Sequence, residues 1–157
     1  MIDGTPPATG LRVAVVVSKY HDFVTDRLQA GALAGLAAAG VAEGDITVVR
    51  VPGAFEIPSA AQHAAVNTRC DAVVCLGCLI RGATPHFDYI STAVSNGLTA
   101  AAAATGVPMA FGVLTTDTWE QAEARAGDGR DNKGFEAAAA ALEMAELFGT
   151  LRAAARR

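Results

Sequence analysis

The chain has 157 residues, of which 52% are hydrophobic and 18% are charged, and its formal net charge is −4. This length suits one domain with an apolar core, and the composition excludes a disordered chain. No basic run is present, which argues against nucleic acid as a partner. No apolar run reaches the roughly 18 residues of a membrane helix, which argues against a membrane partner.

The N-terminus and the cysteines both indicate a reducing compartment. Residues 1–10 contain no Lys or Arg and no apolar stretch, so they do not resemble a signal peptide. Cys70, Cys75 and Cys78 are an odd number of cysteines, which favours reduced thiols over a disulfide framework. We therefore expect a cytoplasmic protein.

Four apolar runs predict β-strands, and Ala-rich segments between them predict helices. The predicted strands span residues 13–17, 46–51, 72–80 and 109–114. The predicted helices span residues 25–39, 57–66, 89–104, 119–126 and 135–154. This alternation predicts a four-stranded parallel sheet with helices on both faces, in one domain of residues 1–157 with residues 1–10 as an N-terminal extension. Ligands of such sheets bind beyond the carboxyl ends of the strands.

The loops after the first two predicted strands each contain one candidate side chain. Tyr20 follows the first strand, where it either stacks on a planar ligand or covers the core. Glu56 follows the second strand and the turn at 52–53. A carboxylate there either begins the next helix or accepts hydrogen bonds from a ligand.

The loop after the third predicted strand combines three features of an anion site. Gly82 and Ala83 are small enough for an anion to approach the backbone N–H groups. Thr84 and Pro85 are typical of the N-cap and first position of a helix, whose N-terminus attracts anions. His86 would lie beside the bound anion, and because histidine commonly moves protons in enzymes it is a candidate proton carrier. An ordinary capped helix with a surface His is the alternative.

Two further cations and a cysteine pair each allow a functional and a structural interpretation. Arg125 or Lys133 would suit a phosphate, although each alone is more typical of a solvated charge. Cys75 and Cys78 have the spacing of a redox pair, but residues i and i+3 of a strand point to opposite faces. Buried structural thiols are therefore expected. The three histidines show no metal-ligand spacing, and we expect no metal and no cofactor.

Four segments, in order along the chain, resemble 6,7-dimethyl-8-ribityllumazine synthase. They are VPGAFEIP at 51–58, IRGATPHFDY at 80–89, FGVLTT at 111–116 and NKG at 132–134. The resemblance extends from about Leu11 to Leu151. It implies a flavodoxin-like three-layer α/β/α sandwich. It also implies a transferase of riboflavin biosynthesis that condenses 5-amino-6-(D-ribitylamino)uracil with 3,4-dihydroxy-2-butanone 4-phosphate to give the lumazine, phosphate and water.

The resemblance also implies roles for individual residues. Tyr20 stands where the family has an aromatic residue that stacks on the pyrimidine, and His86 matches the proposed proton shuttle. The remaining substrate-binding positions are Ala54, Phe55, Glu56, Leu79, Ile80, Phe111 and Lys133. The phosphate-binding positions are Gly82, Ala83, Thr84 and Arg125. Arg125 and Lys133 are expected to come from a neighbouring subunit.

The family site lies between subunits of a homopentamer, and the N-terminal segment is expected to lie along a neighbouring sheet. Residues 128–131 differ from the run found in shell-forming members. Pentamer, decamer and icosahedral capsid therefore all stay open, and riboflavin synthase is a possible partner. Two alternatives to the synthase are a non-catalytic lumazine- or flavin-binding or scaffold relative, and an unrelated flavodoxin-like binding domain.

Overall fold

The computed structural model describes residues 1–3 and 8–157. Its strands are β1 (Val13–Ser18), β2 (Ile46–Val51), β3 (Ala72–Ile80) and β4 (Met109–Thr116). Its helices are α1 (Asp22–Ala38), α2 (Ile57–Asn67), α3 (His86–Thr105), α4 (Trp119–Arg125) and α5 (Lys133–Ala154). Every predicted strand and helix is present, and β4 continues two residues beyond its predicted end.

The strands form one parallel sheet in the order β2-β1-β3-β4. This order, with helices on both faces, confirms the predicted three-layer flavodoxin-like sandwich. The sheet order reverses between β1 and β3, since the chain moves outward to β2 and then returns to the other side of β1. Loops leaving β1 and β3 in opposite directions open a crevice at this switch point.

Each face of the sheet has its own core. Val13, Val15 and Val17 pack with α1 and α5 on one face, whereas Ala14 and Val16 pack with α2 and α3 on the other. All five side chains are buried. A strand covered on both faces requires this unbroken apolar run, because successive side chains alternate between the faces.

Helices α1 and α5 are in close backbone contact at Gly134. A Cβ at position 134 would overlap the carbonyl oxygen of Leu28 and lie 2.7 Å from its carbonyl carbon. Asn132 caps α5 beside this contact: its Oδ1 accepts from the backbone N–H of Gly134 at 2.7 Å, and its Nδ2 donates to the carbonyl of Gly127 at 2.8 Å. The start of α5, and with it Lys133, is therefore held by backbone contacts.

No helix among the described residues has the length and apolarity needed to cross a membrane. Residues 4–7 of the N-terminal extension, which the resemblance places on a neighbouring sheet, lie outside the described residues.

Candidate active site

A cavity of about 730 Å³ lies at the carboxyl ends of β1, β2 and β3. Nine of the predicted site residues line it: Tyr20, Ala54, Phe55, Glu56, Leu79, Ile80, Gly82, Thr84 and His86. They come from three segments that are far apart in sequence, and the parallel sheet brings these segments together at the carboxyl ends of its strands. Ala83 lies in the same exposed loop but does not line the cavity.

Aromatic rings form one wall of the cavity. Tyr20 is 68% exposed, so it does not cover the core. Its ring meets His21 edge-on at 4.5 Å between centroids, and His21 meets Trp119 at 5.6 Å. Phe23 stacks on Trp119 at 6.1 Å between centroids. The ring of Tyr20 therefore packs against His21, and its exposed face is available to a planar ligand.

Sequence reasoning missed His21 and Trp119, which both line this cavity. His21 has a left-handed backbone, with φ of 59°, at the residue before α1. Histidine is one of the few side chains enriched in that conformation, and such residues cluster at functional sites. Burial lowers the pKa of His21, which favours its neutral imidazole.

Glu56 closes the turn before α2 and also lines the cavity. Its Oε2 accepts the backbone N–H of Gly53 at 3.0 Å, which closes the turn before α2. The side chain nevertheless stays exposed and lines the cavity. One carboxylate oxygen thus fixes the turn, and the other can accept a hydrogen bond from a ligand hydroxyl.

The prediction that Thr84 is the N-cap of α3 is wrong. The helix begins at His86, its N-cap is Pro85, and no side chain caps it. The carbonyl of Pro85 accepts the backbone N–H groups of Asp88 and Tyr89 at 3.1 and 3.3 Å. Because the Thr84 hydroxyl is not used as a cap, it is available to a ligand at the start of a 20-residue helix.

The remaining predicted residues lie elsewhere in the chain. Phe111, Arg125 and Lys133 line a second cavity of about 360 Å³ beside β4. Phe111 is half exposed, and Nζ of Lys133 forms an ion pair with Oε2 of Glu136 at 2.7 Å. The chain therefore carries its candidate residues in two cavities, and Arg125 does not line the one that contains Gly82 and Thr84.

The three cysteines are free and buried, as expected for structural thiols. Cys75 and Cys78 belong to the cores on opposite faces of the sheet. Burial raises the pKa of the Cys78 thiol to about 11 and also raises the pKa of Cys75. Among the described residues, no group of three His, Cys, Asp or Glu side chains is arranged to hold a metal ion.

We expect the three thiols to resist a disulfide reagent in the native protein at about pH 8 and to react fully in denaturant, since only an accessible thiolate is nucleophilic. Release of the reagent's chromophore measures both states. Rapid labelling of Cys75 in the folded protein, identified by mass spectrometry, would contradict this assignment.

Two comparisons with known proteins identify the family of this chain. The family model described as 6,7-dimethyl-8-ribityllumazine synthase matches residues 10–149. A protein of Syntrophus aciditrophicus (strain SB) with the name 6,7-dimethyl-8-ribityllumazine synthase is 52% identical over 146 residues, covering 93% of this chain and 95% of that protein. The chain therefore belongs to the 6,7-dimethyl-8-ribityllumazine synthase family.

Proposed function

We propose that the active site forms between two subunits, one supplying the cavity at 79–86 and the other supplying Arg125. The activity is that of the family, a transferase reaction of riboflavin biosynthesis that condenses 5-amino-6-(D-ribitylamino)uracil with 3,4-dihydroxy-2-butanone 4-phosphate. One observation carries the proposal: the predicted phosphate residues line two different cavities of one chain, Gly82 and Thr84 the larger and Arg125 the smaller. A second copy would supply its Arg125 to the phosphate loop of the first.

The uracil substrate has a planar ring and a polyhydroxyl chain, and the cavity offers surfaces for both. The exposed ring of Tyr20 stacks on the pyrimidine, while Leu79 and Ile80 provide an apolar floor. The turn containing Ala54 and Phe55 lies along the ribityl chain. Glu56 accepts hydrogen bonds from its hydroxyls, which suits an exposed carboxylate with one free oxygen.

The phosphate group lies at the start of α3. Gly82 and Ala83 allow close approach to backbone N–H groups, Thr84 donates its hydroxyl, and the N-terminus of the helix favours negative charge. Arg125 of the neighbouring subunit adds a planar cation that matches two phosphate oxygens. Phe111 and Lys133 of that subunit complete the ring pocket.

His86 moves protons during the reaction. The aromatic amine attacks the ketone and water leaves as the imine forms. A proton is then removed from carbon while the C–O bond to phosphate breaks, and closure of the second ring releases another water. His86, exposed beside the phosphate loop, accepts the proton at the elimination step. Amines and ketones combine in water unaided, so alignment of the two substrates supplies much of the rate.

A subunit-mixing experiment tests the shared site. His86→Ala and Arg125→Ala chains are each expected to form weakly active assemblies. Dissociated and reassembled together, they should form intact sites at about a quarter of their interfaces, because a heterologous interface takes one component from each chain. Lumazine absorbance and phosphate release, corrected for the spontaneous reaction, measure the recovery.

Two controls define the result. Each variant dissociated and reassembled alone should stay weakly active, which excludes repair by the procedure itself. Mixed assemblies without recovered activity would contradict a site shared between subunits. Unmodified protein that folds and assembles but does not exceed the spontaneous rate would instead favour a binding or scaffold role.

The family is oligomeric, and we propose the homopentamer as the smallest active assembly. The same shared interface is compatible with a decamer or an icosahedral capsid built from pentamers. We also propose a cytoplasmic location, with riboflavin synthase as a candidate partner because it would consume the product. Neither nucleic acid nor a membrane is part of this proposal, and no cofactor is needed for a reaction without a redox step.

A further inference from the structure

The side chain of Arg81 joins three segments around the anion loop. Its Nε donates to Oδ1 of Asp117 at 2.9 Å, and one terminal nitrogen donates to Oδ1 of Asp88 at 3.2 Å. Its guanidinium lies 4.5 Å from the ring centroid of the buried Phe87. Its backbone N–H donates to the carbonyl of Thr116 at 2.8 Å. The end of β3, the first turn of α3 and the loop after β4 are thus held by one residue.

Hydrogen bonds continue from this point to Arg125. The backbone N–H of Asp117 donates to Oε1 of Gln121 at 2.9 Å, and the carbonyl of Gln121 accepts from a terminal nitrogen of Arg125 at 2.9 Å. Thr118 caps α4 by accepting the N–H of Gln121 at 3.1 Å. Position 121 therefore links the loop after β4 to the cation at the end of α4.

Arg81 and Arg125 border the same cleft of about 600 Å³, but they are not equivalent. The guanidinium of Arg81 forms ion pairs with the carboxylates of Asp88 and Asp117. Within residues 1–3 and 8–157, the guanidinium of Arg125 has a backbone carbonyl as a partner and no ion pair. A guanidinium already shared between two carboxylates is poorly suited to bind an anion. Arg81 is therefore suited to hold neighbouring segments in place, whereas Arg125 is suited to bind an anion.

We propose that Arg81 is a positioning residue for two adjacent active sites. In its own chain it holds the anion loop at 82–85. Through Asp117 and Gln121 it also orients Arg125, which serves the site shared with the next subunit. This inference rests on the proposed function, because it needs Arg125 to act on a neighbouring chain.

Substitution of Arg81 should alter binding of one substrate without unfolding the protein. Exposed ion pairs contribute little to stability, so Arg81→Met is expected to fold and assemble. We expect the KM for the phosphorylated substrate to rise on the order of tenfold from a displaced anion loop, with the KM for the uracil nearly unchanged. Arg81→Lys should recover part of the loss, since it keeps the charge but lacks the planar fork.

A matched control is available on β2. Arg50 forms an ion pair with Asp26 at 2.9 Å and is similarly exposed. Arg50→Met therefore removes an equivalent surface interaction away from both cavities, and it should leave both KM values unchanged. Equal KM changes in the two variants would overturn the proposal.

Subunit mixing separates the two actions of Arg81. In a mixture of His86→Ala and Arg125→Ala chains, each restored site takes its loop from the Arg125→Ala chain and its Arg125 from the His86→Ala chain. Adding Arg81→Met to the Arg125→Ala chain tests the effect on the loop. Adding it to the His86→Ala chain tests the effect on Arg125 alone.

We expect Arg81→Met in either chain to raise the KM for the phosphorylated substrate at the restored sites. A higher KM only when Arg81→Met is in the Arg125→Ala chain would overturn the two-site proposal. An unchanged KM with Arg81→Met in either chain would overturn any positioning role. If the starting mixture recovers no activity, the shared site itself is wrong, and that failure is visible before Arg81 is changed.

Discussion

The Arg125→Ala protein is expected to need about 50-fold more 3,4-dihydroxy-2-butanone 4-phosphate for half-maximal rate, because a hydrogen bond to a charged group contributes ~1.5–3 kcal/mol and each ~1.4 kcal/mol changes binding tenfold. Its guanidinium has no carboxylate partner among the described residues, so its charge is available to the substrate. The KM for the uracil substrate should change little. Steady-state rates with each substrate varied in turn, minus the spontaneous rate, provide the measurement.

Arg152 provides the control for Arg125. It is an exposed arginine in the last turn of α5, remote from both cavities, and Arg152→Ala should leave both KM values unchanged. High salt should weaken substrate binding in the unmodified protein more than in Arg125→Ala, since screening acts on the charge that the variant lacks. An unchanged KM for the phosphorylated substrate in Arg125→Ala would contradict its role.

The Gly134→Ala protein is expected to lose ~3 kcal/mol or more of folding free energy, because a methyl group there meets backbone that cannot rotate away. The obstacle is the carbonyl group of Leu28 in α1, with the side chain of Asn132 also within 2.9 Å of the added carbon. Helix α5 would have to move away from α1. Urea unfolding at fixed protein concentration measures the loss, since assembly adds to apparent stability.

Gly149 lies on the same helix and makes a matched control. A Cβ at position 149 would meet no heavy atom within 4 Å. Gly149→Ala should therefore be neutral or should stabilise the protein by up to ~1 kcal/mol through helix propensity. Equal unfolding midpoints for the two variants would show that α1 and α5 tolerate a wider separation.

Local sequence patterns determined the secondary structure and the fold class. The run at 13–17 is unbroken and β-branched because β1 is covered on both faces, and that pattern is readable without neighbours. The capping box at the start of α4, in which Thr118 and Gln121 exchange hydrogen bonds, is equally local. The prediction for Thr84 failed because a hydroxyl before proline is typical of an N-cap. In the structure, the carbonyl of Pro85 accepts the first N–H groups of α3 instead.

The resemblance supplied the candidate site residues as a set, but only the tertiary structure showed which of them line one cavity. His86 and Tyr20 are more than sixty positions apart in sequence, and the order of the strands brings them to one cavity. Arg125, at the end of α4, lines other cavities beside β4. Periodicity and caps report contacts within a few residues, whereas these distances depend on sheet topology, which no local pattern encodes.

Contacts across the fold were likewise invisible in the sequence. The bond from Arg81 to Asp117 spans 36 positions, and nothing near either residue indicates the pairing. His21 and Trp119 enter the cavity only because a left-handed residue before α1 faces the start of α4. The sequence by itself therefore determined the elements, their order and the chemical groups available. The packing of α1, α4 and α5 on the sheet decided which groups share a site, because those contacts join segments that are distant along the chain.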